Sequence, residues 1–409
     1  MIKHNKIGII GGGAAGMMCA ARILETNSDK NIEIHIFDKN PRLGVKVSMT
    51  GGGRCNLTTS IVDMKILLSK YVRGANFLSP SLAYFSPQNV RDWFINHGVP
   101  LKEEQGNRIF PVSDKGEDIV EVFENLFKDN RVQLHFNSPV LFTTKKRDMF
   151  IVKTPADEYE LKYLVITTGG DGYELVKSLG HGITKLGASL NSFTTKEEWT
   201  HTLAGVSLEK ARFDFELNPG QNKSVMGPMI FTHSGISGPA VFTLSANIAF
   251  EKISLEKPFR IKYTPNGDFN FDKCDSFLIN EITRNGLKPL ISILMQIIPR
   301  SLGEIILELA GIITVAGAEL TKKERQHLSH FLSGDLLLTL ISRTAGVEFV
   351  TAGGVVLDEV NRKTMRSKIH KNLFLAGEVL NVDGLTGGFN LQAAWSTGRT
   401  AGNTIASLL

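Results

Sequence analysis

The stretch KIGIIGGGAAG, residues 6–16, decides the fold of this 409-residue chain. A short β-type run, residues 6–10, leads directly into a GxGxxG turn, and an Ala- and Met-rich helical pattern follows to about Leu24. A second β-type run, residues 32–37, ends at Asp38. This β–turn–α–β order predicts an α/β fold of the Rossmann type, with a parallel sheet and a right-handed crossover.

The glycines of this turn predict a dinucleotide site, although a tight turn without a ligand is the alternative. Gly11 allows the tight turn, Gly13 lets the backbone approach a pyrophosphate, and Gly16 lets the helix pack closely on the strand. The N-terminus of the helix offers free N–H groups to phosphates, and Asp38 is placed to accept hydrogen bonds from an adenosine ribose. The predicted binding residues here are Gly11, Gly13, Ala14, Ala15, Gly16, Asp38 and Lys39.

A late segment selects FAD among the dinucleotides. A buried-type strand, residues 372–376, ends on a glycine and Glu378, and the turn GGFNLQ follows at residues 387–392. In flavoproteins with an N-terminal Rossmann unit, an acidic residue at such a strand end holds the ribityl chain. Backbone N–H groups of the later turn would face the pyrimidine end of the flavin, where a positive helix end stabilises negative charge. The predicted contacts are Gly377, Glu378, Asn390 and Leu391.

Three internal segments supply further candidates for cofactor contacts. The TTGG turn at residues 167–170 follows a buried-type strand, and Val140 either presents its backbone to the adenine or packs in the core. In GVKVSMTGGGRCN, residues 44–56, successive glycines allow the backbone to lie flat against a planar ligand, and the basic residues could meet phosphate or flavin carbonyls. These candidates are Lys46, Gly52, Gly53, Arg54, Cys55, Asn56, Val140, Thr168, Gly169 and Gly170.

Candidates for catalysis are few, namely His233, Cys55 and Arg54. His233 is either a proton donor near the flavin or a structural histidine in a strand turn. Cys55 is either a redox-active thiol or a residue packed beside the flavin, and no resolving cysteine lies near it in the sequence. The sequence has no second GxGxxG motif, so a nicotinamide donor would have to dock transiently rather than in its own Rossmann domain.

Composition excludes several classes of protein. Apolar residues make up 42% and charged residues 21% of the chain, which is typical of a globular protein. Three cysteines form neither a disulfide framework nor a zinc motif, so no metal is predicted. The net charge of +5 indicates either a slightly basic soluble protein or an anionic partner such as RNA. No apolar run is long enough for a membrane span, and we predict a cytoplasmic location.

Seven stretches together resemble one known family. They are IGIIGGGAAG (7–16), GVKVSMTGGGRCNLT (44–58), RIFPVSDKGEDIV (108–120), TTGG (167–170), FTHSGISGPA (231–240), TAGGV (351–355) and LFLAGEVLNVDGLTGGFNLQAAWSTG (373–398). In these stretches the chain resembles the YhiN/BaiN-type, aminoacetone-oxidase-like family of bacterial FAD-dependent flavoproteins. The chain departs from the family after Gly170, where relatives usually carry a longer loop.

The resemblance implies an FAD-binding domain interrupted by a β-barrel-like insert that itself carries a small helical domain. Shifts in composition at about 190, 270 and 335 agree with this organisation. The implied domains are 1–190 and 353–409 for FAD binding, 191–273 and 335–352 for the barrel, and 274–334 for the helical insert. Within the last of these, apolar spacing predicts helices at 278–282, 289–298, 301–312 and 321–332, and residues 336–350 are predicted as strand.

The predicted activity is that of an FAD-dependent oxidoreductase, with hydride transfer at flavin N5 to or from a small molecule. Reduction of an activated C=C bond, with NAD(P)H or another donor, is the first hypothesis. The resemblance also implies two alternatives, the oxidation of a small amine by O2 and the reduction of uridine in ribosomal RNA. A non-catalytic FAD module that senses redox state or serves as a structural unit is the alternative outside the enzymes.

Overall fold

The computed structural model describes residues 5–313, 316–344 and 350–409. The chain divides into two compact units, one formed by residues 1–187 with 350–409 and the other by residues 188–349. The boundaries predicted after residues 190 and 352 lie slightly further along the chain. The helical stretch that was predicted as a domain of its own lies within the second unit.

The first unit begins with eleven strands and seven helices. The strands are β1 (Asn5–Ile10), β2 (Ile32–Phe37), β3 (Thr58–Thr59), β4 (Tyr71–Arg73), β5 (Leu101–Glu104), β6 (Arg108–Pro111), β7 (Val132–His135), β8 (Phe142–Lys146), β9 (Met149–Lys153), β10 (Glu158–Leu161) and β11 (Tyr163–Ile166). The helices are α1 (Ala14–Thr26), α2 (Val45–Met49), α3 (Met64–Leu68), α4 (Ala75–Tyr84), α5 (Pro87–Asn96), α6 (Glu117–Leu126) and α7 (Tyr173–Ser178).

The remaining elements follow in chain order. After β12 (Gly187–Ser189), the second unit contains β13 (Phe193–Thr195), α8 (Glu198–Thr202), β14 (Ser207–Glu216), β15 (Asn222–Thr232), β16 (Gly235–Ser237), α9 (Pro239–Asn247), β17 (Phe259–Thr264), α10 (Phe271–Asn285), α11 (Leu290–Leu294), α12 (Arg300–Leu309), α13 (Lys322–His330) and β18 (Leu336–Arg343). The chain returns to the first unit with β19 (Val350–Ala352), β20 (Val360–Asn361), β21 (Arg366–Ser367), β22 (Leu373–Leu375), β23 (Asp383–Gly384) and α14 (Phe389–Ala406).

A seven-stranded sheet organises the first unit, in the order β20-β21-β22-β11-β1-β2-β7. Strand β1 pairs in parallel with both β2 and β11, so that Ile7 lies opposite Ile34 and Tyr163. Strand β22, from the late segment, adds in parallel to β11. Parallel strands β1 and β2, joined through α1, are the predicted β–turn–α–β unit, and they confirm the Rossmann-type fold.

Helices α1 and α14 pack closely because small residues meet between them. A Cβ on Gly398 would lie 2.2 Å from the carbonyl oxygen of Ala15, and one on Gly402 would lie 2.5 Å from that of Cys19. Strands β11 and β22 are buried along their whole length, as expected for a parallel sheet covered on both faces. The late segment is therefore an integral part of the core of the first unit.

A closed six-stranded barrel organises the second unit, in the order β13-β16-β15-β14-β17-β18. Its longest hairpin joins β14 and β15, with Phe213 opposite Val225. Alternate residues of β14, among them Ala211, Phe213 and Phe215, are buried, which is the period expected of a strand with one buried face. The barrel confirms the β-barrel-like insert that the resemblance implied.

The helices of the second unit follow the predicted order, but α10 runs over Phe271–Asn285 rather than 278–282, and α12 ends at Leu309 rather than at 312. The helix predicted over residues 289–298 is limited to α11, which ends at Leu294, and the chain then turns towards Pro299 before α12. The predicted strand over residues 336–350 is β18 up to Arg343, while residues 345–349 lie outside the described residues. Within the described part of the chain, no helix is long and apolar enough to cross a membrane.

Candidate functional site

The glycine turn between β1 and α1 packs tightly against β11 and leaves one glycine open. Gly11 has a φ of 109°, and a Cβ on it would lie 2.5 Å from the carbonyl oxygen of Thr167. A Cβ on Gly16 would lie 2.0 Å from the carbonyl oxygen of Gly11, whereas one on Gly13 would meet no atom within 4 Å. Helix α1 begins at Ala14 without a side-chain cap, so its free N–H groups adjoin open space that suits a phosphate.

The carboxylate of Asp38 is held beside this turn. Its Oδ2 accepts a hydrogen bond from Gly12 N at 2.7 Å. Its Oδ1 accepts from both the backbone and side-chain nitrogens of Asn40, each at 2.8 Å. Oδ2 therefore keeps a lone pair for a ribose hydroxyl, which is the contact predicted from the sequence.

Lys39 and Lys46 both act on Asp171, which follows the TTGG turn. Lys39 Nζ donates to Asp171 Oδ2 at 2.6 Å, with both side chains more than half exposed. This hydrogen bond, helped by the charge of Lys46, lowers the pKa of the Asp171 carboxyl. The two predicted lysines thus lie at the same edge of the sheet as the turn after β11.

Glu378 lies beside the turn that follows β11. Its Oε1 accepts a hydrogen bond from Thr351 N at 2.9 Å, and a Cβ on Gly169 would lie 3.3 Å from its Oε2. The preceding Gly377 has a φ of 77°, and a Cβ there would lie 2.8 Å from the Cβ of Ala15. The structure therefore brings together the predicted residues at the carboxyl ends of β1, β11 and β22.

The start of α14 lies against the segment that follows the triple glycine. A Cβ on Gly388, the N-cap, would lie 2.5 Å from the carbonyl oxygen of Thr58. Thr58 Oγ1 donates to Oε1 of the buried Gln392, and Trp395 Nε1 donates to the carbonyl oxygen of Leu57 at 3.1 Å. These contacts fix the N-terminus of α14 to residues that come directly after Asn56.

Asn390 and Leu391 occupy the first turn of α14. The Asn390 side chain hydrogen-bonds to the backbone of Gly384. Its Oδ1 accepts from Gly384 N at 2.8 Å, and its Nδ2 donates to the carbonyl oxygen of Gly384 at 2.9 Å. Hydrogen bonding within the helix includes Gln392 N to the carbonyl oxygen of Gly388. The N–H groups of Asn390 and Leu391 precede it, so they lack intrahelical acceptors, and the predicted flavin contacts through these groups stay a prediction.

The triple glycine presents open backbone. Gly51, Gly52 and Gly53 have φ values of 60°, 73° and 88°, which favour glycine. A Cβ on Gly52 or Gly53 would meet no atom within 4 Å. Asn56 Oδ1 nearby is buried and has no hydrogen-bond partner within the described residues. Open glycine faces with an unsatisfied acceptor suit a flat ligand that carries an N–H donor.

Arg54 is engaged by carboxylates of its own unit. It donates to Glu104 Oε1 at 2.8 Å and to Asp114 Oδ1 at 3.3 Å, and its guanidinium lies 4.1 Å from the centre of the Phe110 ring. The hydrogen bond to Glu104 is the main cause that raises the pKa of Arg54. Carboxylates thus hold Nη1 and Nη2 of Arg54, and its contact with phosphate or a flavin carbonyl stays a prediction.

Cys55 is a packed residue. Its side chain is fully buried, and burial raises the pKa of its thiol to about 12. A reactive cysteine needs a lowered pKa and access to solvent. The structure therefore argues against the redox-active interpretation of Cys55 and favours the alternative of a residue packed within the fold.

Val140 and His233 are the two remaining candidates. The side chain of Val140 is half-buried and packs against the hydrophobic core of the first unit, while the predicted contact of its backbone with adenine stays a prediction. His233 is exposed in the turn between β15 and β16, within the second unit. Its role as a proton donor stays a prediction.

Three features of the site were missed by the sequence analysis. Thr351 contributes its backbone N–H to Glu378, and Asn381 Oδ1 is buried without a hydrogen-bond partner in the described part of the chain. Arg73 donates through Nε and Nη2 to both oxygens of Asp383, whose side chain is fully buried. The only sequence signals were the TAGGV stretch and the isolated Asp in the glycine-rich NVDG stretch.

These residues fit the predicted FAD. A Cβ would fill the open cradles at Gly13 and Gly52, where the backbone must lie close to a ligand. Thr168 Oγ1, next to Gly169, is buried without a hydrogen-bond partner among the described residues. Leaving such groups unsatisfied costs about 1–3 kcal/mol each, so they are positioned for a polar ligand.

Comparison with known families decides the assignment. The family model described as HI0933-like protein Rossmann domain matches residues 5–404. The chain belongs to this family. The resemblance found in the sequence is thereby confirmed, and as an HI0933-like protein the chain is an FAD-dependent oxidoreductase.

Relatives of this HI0933-like chain extend over nearly its whole length. A 3-dehydro-bile acid delta(4,6)-reductase of Clostridium scindens is 29% identical, covering 98% of this chain and 99% of the relative. A ribosomal RNA dihydrouridine synthase of Haemophilus influenzae is 27% identical, with 97% of each chain covered. A ribosomal RNA dihydrouridine synthase of Escherichia coli is 28% identical, with 95% of each covered.

Proposed function

We propose that this protein reduces a C=C bond that is conjugated to a carbonyl group. The observation that carries the proposal is that relatives of two different names share this chemistry at similar identity. The delta(4,6) bonds of a 3-dehydro bile acid are conjugated to the 3-oxo group, and the 5,6 bond of uridine is conjugated to its 4-carbonyl. In both, hydride adds to a carbon of the conjugated system and a proton completes the reduction.

Residues at the carboxyl ends of the strands would hold the cofactor. The N-terminus of α1 beside Gly13 would bind the pyrophosphate, and Asp38 Oδ2 would accept from the adenosine ribose. Glu378 would accept from the ribityl hydroxyls while keeping its hydrogen bond from Thr351 N. When bound and reduced by a donor such as NAD(P)H, the flavin would supply hydride from N5 to the conjugated bond.

The first turn of α14 would stabilise the negative charge that accompanies flavin reduction. Its free N–H groups and the positive end of the helix dipole act on a nearby anion. The helix is held in place by Trp395 and Gln392, which bond to Leu57, Thr58 and Phe85. Because these donors are fixed before reduction, they need no reorganisation when charge develops.

The test is an anaerobic visible spectrum of the purified protein during addition of NADH and then NADPH. We expect flavin bands that bleach, and that return when a 4-en-3-one steroid or a ribosomal RNA transcript is added. Mass spectrometry of the added substrate should then show a gain of two hydrogens.

Two results would overturn the proposal. One is a flavin that stays oxidised with NADH, NADPH and other donors yet consumes O2 with a small amine, which would establish an amine oxidase. The other is a flavin that dithionite reduces but that neither conjugated substrate reoxidises, which would favour a non-catalytic FAD module.

A further inference from the structure

A basic hairpin lies at one edge of the seven-stranded sheet of the first unit. Strand β20 is the edge strand and pairs in antiparallel fashion with β21. Residues 362–371, RKTMRSKIHK, contain five Lys or Arg and one His but no Asp or Glu. Four of the cationic side chains belong to exposed residues, and we call them the basic strip: Arg362, Lys363, Lys368 and Lys371.

The charges of the basic strip are not neutralised by nearby carboxylates. Among the described residues, no Asp or Glu lies within ion-pair distance of any member of the strip, whereas Arg54, Arg131 and Arg325 each contact a carboxylate. Exposed cations without such partners keep their full attraction for an external anion. The strip is therefore a positive surface whose charges form no ion pairs within the described residues.

The strip forms one wall of a groove of about 670 Å³. The opposite wall is the start of α4, where Arg362 Nη1 donates to the carbonyl oxygen of Asn76 at 3.3 Å. Arg362, Lys363 and Lys368 line the groove, against a single carboxylate, Asp358. The excess of cations in a concave surface suits an extended anionic ligand.

The groove adjoins the loop that leads to the candidate cofactor site. A Cβ on Gly74, which lines the groove, would lie 2.5 Å from Val382 Cγ2 and 2.9 Å from the carbonyl oxygen of Asn381. Val382 precedes Asp383, which is fixed by Arg73, and the chain then runs to Gly388 and α14. A ligand in the groove would thus lie against Gly74, whose backbone packs directly on that loop.

We propose that the basic strip binds the phosphate backbone of a folded RNA and so holds the polynucleotide beside the flavin site. The inference rests on the proposed function, since uridine is one of the two conjugated substrates considered there. Phosphodiesters repeat along a strand and match a row of exposed lysine and arginine side chains, which position nucleic acid without reading its sequence. A groove can admit the phosphates of a single polynucleotide strand, whereas the surface of a bilayer cannot enter it.

The experiment measures binding of a fluorescein-labelled RNA hairpin with a uridine-containing loop to the FAD-loaded protein over a range of salt concentrations. The test variant is Lys363→Gln/Lys368→Gln. The matched control is Lys146→Gln/Arg147→Gln, which removes two exposed charges from the β8–β9 hairpin of the same unit. We expect the test variant to bind about tenfold more weakly, with a salt dependence reduced by about one to two ion equivalents, and the control to bind like the wild type.

The inference is overturned if both variants lose affinity equally, if neither does, or if the wild type binds anionic phospholipid vesicles but not the hairpin. Flavin content and reoxidation by a 4-en-3-one steroid are measured on the same variants. Failure of the wild type to reduce any conjugated substrate removes the proposed function. If the wild type turns over the steroid normally but the variant of the basic strip binds RNA like the wild type, only the proposed docking surface is disproved.

Discussion

At the scale of single residues, two glycines of one turn have different tasks. A methyl group on Gly16 would lie 2.0 Å from a backbone carbonyl oxygen, whereas one on Gly13 would project into open space. Gly13 also has a φ of −84°, which alanine adopts without strain. Gly16 is therefore required for packing, and Gly13 leaves room for a ligand.

We expect Gly16→Ala to destabilise the apoprotein by about 1–3 kcal/mol. Gly13→Ala should leave the thermal unfolding of the apoprotein unchanged but lower FAD retention, because the methyl group would occupy the side facing the phosphates. The measurements are thermal unfolding of the apoprotein and flavin absorbance per protein after purification. Normal flavin content in Gly13→Ala would show that the pyrophosphate binds elsewhere.

Glu378 offers a second test at this scale. Glu378→Ala should lower FAD retention and also destabilise the protein by about 1–3 kcal/mol, since Thr351 N would lose its acceptor. Glu378→Gln keeps an oxygen for Thr351 and should restore the stability, while the lost charge still weakens FAD retention. Flavin titration of both apoproteins, with their melting temperatures, separates the two effects. If both variants bind FAD as the wild type does, the ribityl contact is misplaced.

Residue types predicted some of these contacts and not others. Asp38 and Glu378 stand out in the sequence because an acidic residue ends an apolar strand. Thr351 contributes a backbone N–H, which no side-chain pattern reveals. Arg54 was a plausible anion ligand by type, yet Glu104 and Asp114, distant in the sequence, engage it.

At the scale of elements, two neighbouring strands share a histidine pair. His35 on β2 and His135 on β7 form a hydrogen bond of 3.1 Å between ring nitrogens. Burial lowers the pKa of both imidazoles, and the charge of His135 lowers that of His35 further. The folded protein thus keeps these rings neutral at pH values where the unfolded chain takes up protons.

The free energy of unfolding should therefore decrease as the pH is lowered. The unfolded chain protonates its histidines below about pH 6.5, ahead of the folded state, so stability falls as the pH drops from there towards the lowered pKa values. His135→Phe, which keeps the ring stacked on Phe37, should flatten the fall in melting temperature by about 2–4 °C between about pH 7 and 5. The exposed His233→Gln is the control, and identical pH profiles for all three proteins would contradict the assignment.

Element prediction succeeded where the apolar period was strong. In the β1–α1–β2 unit, two short apolar runs flank the glycine turn and a stretch of small and apolar residues, which predicts the order strand, helix, strand. Helix α9, Pro239–Asn247, was missed because its apolar and small residues show little amphipathic period among the strands of the barrel. Helix α11 stops at Leu294, although the apolar spacing continues to Ile298, because the chain must turn before Pro299.

At the scale of the whole molecule, the family resemblance implied an interrupted Rossmann unit and its insert, and the shifts in composition agreed with that organisation. Composition changes along the chain because the barrel strands and the helices after them bury different residue types at different periods. The basic strip was not found, because its cations alternate with Thr, Met, Ser and Ile, so that no continuous run of charge appears. Only the hairpin of β20 and β21 brings these residues onto one edge.

The order of the strands also has a consequence for biosynthesis. Strand β22 is an interior strand of the seven-stranded sheet, and α14 packs on α1, yet both are translated after the entire second unit. During synthesis, one edge of β11 therefore stays unpaired until β22 has been translated, although the barrel strands have already been made. We therefore expect the part of the predicted FAD site that contains Glu378 and α14 to form only after the second unit has been translated, and until then the unpaired edge of β11 is open to chaperones and to aggregation.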